Sequence, residues 1–92
     1  MQTEANKPVC IVVGVGPGNG EALARRFSAA GYAVALLARR TALCQRLAAE
    51  LPDARAFACD VAIAGMVEQV FAGIADGMGV PDTLIYNAGK GV

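Results

Sequence analysis

The chain has 92 residues, enough for one small domain (residues 1–92) that buries roughly 60 to 70% of its unfolded surface on folding. It is 55% hydrophobic with a mean hydropathy of +0.46, an excess for a lone unit of this size that predicts surface meant to be covered. Eight basic and eight acidic side chains cancel, and no like-charge run exceeds Arg25-Arg26 or Arg39-Arg40, which argues against nucleic acid or a membrane surface as a partner.

The longest apolar runs fall far short of the ~20 residues of a bilayer span, and the polar start MQTEANK is no signal peptide, so a cytoplasmic protein is expected. There is no histidine, and the three cysteines (Cys10, Cys44, Cys59) lack CxxC spacing. They read as buried structural thiols; no metal site and no Ser/His or Cys/His catalytic pair is expected.

In chain order, Val9 to Val13 form a mostly β-branched run suited to a parallel strand covered on both faces. A glycine-rich turn follows, then a helix from about Pro17 to Ala30, with Leu23, Phe27 and Ala30 on its apolar face and Arg25 and Arg26 toward water. Pro17 suits a first helical position and Gly31 stops the helix. Ala33 to Ala38 read as a second buried strand ending at Arg39 and Arg40. Thr41 is the expected N-cap of a second helix with Leu43, Leu47 and Leu51 on one face, ended by Pro52 and Asp53.

A third strand is expected over Arg55 to Cys59, closing at Asp60. The third helix, about Ala64 to Met78, carries the strongest pattern: Val67, Val70, Phe71, Ile74 and Met78 share a stripe. Gly79 and Pro81 break it, and Thr83 to Tyr86 read as a fourth strand ahead of Asn87, Ala88 and Gly89. The order βαβαβαβ calls for right-handed crossovers and a parallel sheet, most simply in the spatial order 3-2-1-4. The first two helices then cover one face and the third the other, giving a three-layer α/β fold that stops where a second half would begin.

Four glycines in seven residues (Gly14, Gly16, Gly18, Gly20) let the backbone turn sharply and approach a ligand, with the start of the first helix aimed at the same place. The spacing GxGxxG fails, because Asn19 or Glu21 stands where its last glycine is needed, and no Lys follows for GxxxxGK[ST]. GxxxGxG fits on Gly14, Gly18 and Gly20. In this topology a ligand binds beyond the carboxyl ends of the strands, and Gly14 to Gly20, Arg39, Asp60-Val61 and Asn87 to Gly89 all fall at such ends.

With the Asp60-Val61 pair and Asn87-Ala88-Gly89, that glycine spacing resembles the short-chain dehydrogenase/reductase family over essentially the whole chain. The resemblance implies a Rossmann-like nucleotide-binding half. Its implied cofactor-binding residues are Gly14, Gly16, Gly18, Asn19 and Gly20 at the diphosphate, Asp60 and Val61 at adenine, and Asn87, Ala88 and Gly89 on the ribose side. At the end of the second strand, where an NAD-preferring site usually has a carboxylate, stands Ala38. A 2′-phosphate would instead meet the guanidinium of Arg39, aided by Arg40, so NADP(H) is favoured over NAD(H). Two arginines at a strand end also read as solvated surface charge.

Departures from the family pattern bear on affinity. Val13 stands where Thr is frequent, Pro17 where NADP-preferring members often have a basic residue, and Asn19 where a branched apolar residue is usual. Glu21 suits the helix dipole but repels a diphosphate unless its side chain points away. The family's Tyr-x-x-x-Lys pair, with a Ser and an Asn, is implied beyond the Asn-Ala-Gly turn. Here Tyr32 is followed four residues on by Leu36, and Tyr86 by Lys90. A strand ending in a turn does not place Tyr86 and Lys90 on one helical face, so no catalytic residue is assigned.

The expectation is therefore cofactor binding without catalysis by this chain alone, as a fragment or truncated product of an NADP(H)-dependent oxidoreductase. The alternatives are a non-catalytic interaction module forming homo-oligomers through the fourth strand's edge or the exposed sheet face, or one half of a split oxidoreductase.

Overall fold

A computed structural model describes residues 7–16 and 18–87. Pro17, Ala88, Gly89 and Lys90 lie outside the described residues, and with them the first-turn proline, the end of the Asn-Ala-Gly motif and the Lys of the rejected pair. The element order is β1 (Val9–Val13), α1 (Asn19–Ala29), β2 (Ala33–Ala38), α2 (Ala42–Glu50), β3 (Ala54–Ala58), α3 (Met66–Gly77) and β4 (Pro81–Tyr86). All pairings are parallel in the order β3-β2-β1-β4, as the alternation of strand and helix predicts.

The two central strands are apolar throughout because both of their faces are covered. Cys10, Val12, Val34 and Leu36 pack with Ala24 of α1 and with Cys44 and Leu47 of α2 on one side. Val9, Ile11, Val13, Ala35 and Leu37 meet Ile74 on the other, with Val67, Val70, Phe71 and Met78 packed beside it. The α3 stripe read from the sequence is thus the stripe that docks. On α1 the buried positions are Gly20 and Ala24, with Phe27 partly buried. Ala30 is exposed at the helix end rather than on the apolar face. Small residues occupy the contact line because they bring the helix backbone close to the sheet, and the larger side chains flank it.

Element ends shift by a residue or two from the sequence reading. Helix α1 begins at Asn19 after Gly18, whose φ of 96° suits glycine. Thr41 does precede α2, but its side chain makes no capping hydrogen bond. Strand β3 ends at Ala58, although Cys59 still donates to the Ala38 carbonyl at 2.9 Å. Strand β4 begins two residues early, at Pro81, a first strand position where the missing N–H does least harm. The register there slips, pairing Val9 with Pro81 but Cys10 with Thr83. The carboxylate of the intervening Asp82 accepts the Val9 N–H at 3.0 Å.

All three cysteines are free and buried. Burial in β1 pushes the Cys10 thiol up from 9.0 to about 11, since the thiolate would be desolvated. Cys10 therefore stabilises the fold fully below pH 9.0, and that contribution is lost as the pH rises toward about 11, where the unfolded chain has already released the proton. Urea unfolding should show stability falling across this window in the parent chain, and falling less steeply in Cys10→Ala.

Candidate cofactor cleft at the strand ends

The glycine turn answers two different demands. Gly14 (φ 87°) and Gly18 (φ 96°) adopt left-handed backbone that side chains rarely tolerate. Gly20 answers a packing demand: a Cβ there would sit 2.8 Å from the Gly14 carbonyl oxygen and 2.9 Å from the Val15 Cα. Gly16 meets neither demand, since its φ is not positive and a Cβ would find nothing within 4 Å. Its bareness leaves room in the cleft, not in the fold.

The turn is pinned by its neighbours. Gly14 and Val15 both donate to the Leu37 carbonyl, at 2.8 and 3.0 Å, so neither amide is available to a ligand. Glu21 and Ala22 donate back to the carbonyls of Gly16 and Gly18, at 3.0 and 2.9 Å. Among the described residues the amides of Asn19 and Gly20, at the start of α1, have no partner, which leaves the donors that a helix start presents to an anion. Asn87 ties β4 to this turn: its amide donates to the Val13 carbonyl at 2.8 Å, and its side-chain nitrogen lies 3.5 Å from the Gly14 carbonyl oxygen.

A cleft of about 790 Å³ opens over the carboxyl ends of the strands. Val13 to Gly16 line one wall. Ala38 ends β2, with Arg39 and Arg40 after it, Ala42 and Leu43 open α2, Cys59 to Ala62 follow β3, and Asn87 follows β4. Of the sequence-predicted residues, Gly14, Gly16, Arg39, Arg40, Asp60, Val61 and Asn87 converge on this space. Gly18, Asn19 and Gly20 stand outside its lining, and Ala88 and Gly89 lie outside the described residues. The sequence reading missed Val13, Val15, Ala38, Ala42, Leu43, Cys59 and Ala62 as lining residues. Ala62 could have been found as the residue after Val61 at a strand end. Leu43 packs against the core cluster of Cys44 and Leu47, as its spacing predicts, and also lines the cleft, which its spacing does not show.

The charges are arranged asymmetrically. Arg39 and Arg40 are exposed and form no ion pair with a described residue. One Asp60 oxygen accepts the Ala62 N–H at 3.0 Å, folding the loop after β3, while the Asp60 amide donates to the Met66 sulfur at 3.4 Å. Burial, with a smaller push from the Asp60 carboxylate, raises the Cys59 thiol pKa, so Cys59 faces the cleft as a neutral thiol. Among the described residues no cluster of three His, Cys, Asp or Glu side chains could hold a metal ion, and no helix is long and apolar enough to cross a membrane.

The cleft volume falls within the ~300–1,000 Å³ typical of ligand sites. Its chemistry suits an extended phosphorylated ligand: a wall with bare backbone at Gly14 and Gly16, apolar Leu43, Val61 and Ala62, and two guanidinium groups at the end of β2.

Residues 8–92 match the family model of the short chain dehydrogenases. The chain is 39% identical over 83 residues to the meso-2,3-butanediol dehydrogenase of Serratia marcescens, covering 88% of this chain and 33% of that protein. It is 35% identical over 97 residues to an uncharacterized oxidoreductase of Mycobacterium tuberculosis, covering 99% of this chain and 38% of the relative. The chain thus spans little more than a third of the length of these relatives. A metagenomic short-chain oxidoreductase solved in complex with NADP superposes with a TM-score of 0.82 at 29% identity, over 97% of this chain and 42% of the other.

Alanine at the two unlike glycines separates their roles. Gly20→Ala forces backbone apart and should cost about 1–3 kcal/mol in urea unfolding. Gly16→Ala, with nothing to meet, should change stability by less than about 0.5 kcal/mol.

Proposed function

The chain belongs to the short-chain dehydrogenase/reductase family, and we propose that it is the dinucleotide-binding part of an NADP(H)-dependent oxidoreductase. On this reading residues 1–92 form one partial NAD(P)-binding domain of a cytoplasmic protein. The observation that carries it is the convergence of Gly14, Gly16, Arg39, Asp60, Val61 and Asn87 on a single cleft.

The start of α1, with Gly18, Asn19 and Gly20, takes the diphosphate through amide donors and the positive end of the helix dipole. Val61 and Ala62 give adenine an apolar wall, and the Asp60 oxygen left over from the Ala62 bond accepts from its amino group. Asn87, followed in the chain by Ala88 and Gly89, borders the ribose. Arg39 meets the 2′-phosphate with Arg40 beside it, and no carboxylate at the end of β2 repels that group. In the family the bound cofactor carries the hydride, exchanged with an alcohol or carbonyl. Within these 92 residues the Tyr-x-x-x-Lys spacing occurs only at Tyr86, the last residue of a strand, so binding without hydride transfer is the activity proposed for this chain alone.

Titration calorimetry should give tighter binding of NADPH than of NADH, and Arg39→Ala should narrow the gap by about tenfold, the worth of a charge-assisted phosphate contact. Equal or absent heats for the two nucleotides in the parent chain would remove the Arg39 assignment.

One observation favours an additional role in association. Leu84 and Tyr86 lie opposite Ile11 and Val13 on the α3 side of the sheet, yet remain 55% and 64% exposed on β4, an edge strand. They offer apolar cover to a second copy, or to a second half supplied by a separate chain. Sedimentation should show concentration-dependent dimers that Leu84→Lys dissociates; a monomer at every concentration would eliminate pairing with a second copy.

A further inference from the structure

Glu21 occupies the first turn of α1, where a carboxylate favours the helix dipole but opposes any other anion drawn to the same end. The structure shows where that charge goes. One Glu21 oxygen, Oε2, accepts from Arg25 Nε at 3.1 Å and lies 3.0 Å from Arg25 Nη2. The same Nη2 donates to Glu50 Oε1 at 2.8 Å, so one guanidinium joins the first turn of α1 to the last residue of α2. None of the three residues lines the cleft.

We propose that Arg25 is a positioning residue of the dinucleotide site: it draws the Glu21 carboxylate one turn down α1 and cancels its charge, keeping the helix start attractive to a diphosphate. This rests on the reading that the turn binds the cofactor's diphosphate. The geometry accounts for a motif that otherwise combines an anion-binding turn with a neighbouring acid. Hydrogen bonds to Glu50 and then Glu21 also raise the Arg25 pKa above its already high ordinary value, so the group stays charged at any working pH.

Two roles for Arg25 predict different behaviour. A simple tie between α1 and α2 would be lost equally with Arg25 or Glu50, and would not be mended by altering Glu21. Charge masking would be lost only with Arg25, and removal of the Glu21 charge would restore it. Because Arg25 is exposed, Glu21 is only partly buried and both act through solvent, the effect is modest and weakens with salt.

NADPH calorimetry on the parent chain and variants, at low and at physiological ionic strength, decides between them. Arg25→Gln is expected to weaken NADPH binding about threefold to tenfold at low salt and less at higher salt. The double variant Glu21→Gln/Arg25→Gln should return to the parent affinity, and Glu50→Gln and Arg25→Lys should stay near it. Thermal melts of the same samples confirm that each is folded. Unchanged binding in Arg25→Gln, no recovery in the double variant, or an equal loss in Glu50→Gln would overturn the masking role and leave the cofactor reading standing. Absence of NADPH binding by the parent chain would overturn both.

Discussion

The close approach of α1 to the end of β1 at Gly20 is the constraint on which the rest of the site depends. With a hydrogen where other residues carry a Cβ, the first turn of the helix settles against the Gly14 carbonyl and the Val15 backbone. That contact sets where the helix begins and brings Ala24, one turn on, to complete burial. It also brings the N-terminus of α1 to the strand end where the glycine turn leaves the sheet. The Asn87 side chain reaches the same Gly14 carbonyl from β4, so turn, helix and outer strand share one point of contact.

Parallel topology does the remaining assembly. Every strand points its carboxyl end the same way, so loops from distant parts of the chain meet above one edge of the sheet. The two central strands make this possible by being apolar on both faces, with helices on either side and no polar side chain buried among the described residues. Backbone hydrogen bonds then divide the labour in the turn. The Leu37 carbonyl occupies the amides of Gly14 and Val15 and fixes the loop, while those of Asn19 and Gly20 at the helix start meet no acceptor among the described residues.

A chain of zero formal net charge still builds an electrostatically uneven surface. Arg39 and Arg40 stand at the cleft without an acidic partner among the described residues, whereas the acid nearest the helix start is engaged by Arg25. The apolar excess in the composition is likewise uneven. The central strands bury nearly all of their share, whereas Val61, Ile63, Val80, Leu84 and Tyr86 stay exposed.

The amino-acid sequence by itself determined the element order, the strand order 3-2-1-4 and the α3 stripe. These follow from local periodicity and from the handedness of crossovers, which need no knowledge of partners. It also marked Gly14, Gly18 and Gly20 as a spaced set. Only the tertiary structure decided why each glycine is there: backbone dihedrals at Gly14 and Gly18, a neighbouring carbonyl at Gly20, and empty space at Gly16. It alone put Leu43 and Cys59 in the cleft, moved the buried line of α1 from Leu23 and Ala30 to Gly20 and Ala24, and turned Glu21 toward Arg25, which also holds Glu50. Such facts depend on distances between segments far apart in the chain, and a one-dimensional pattern holds no measure of those distances.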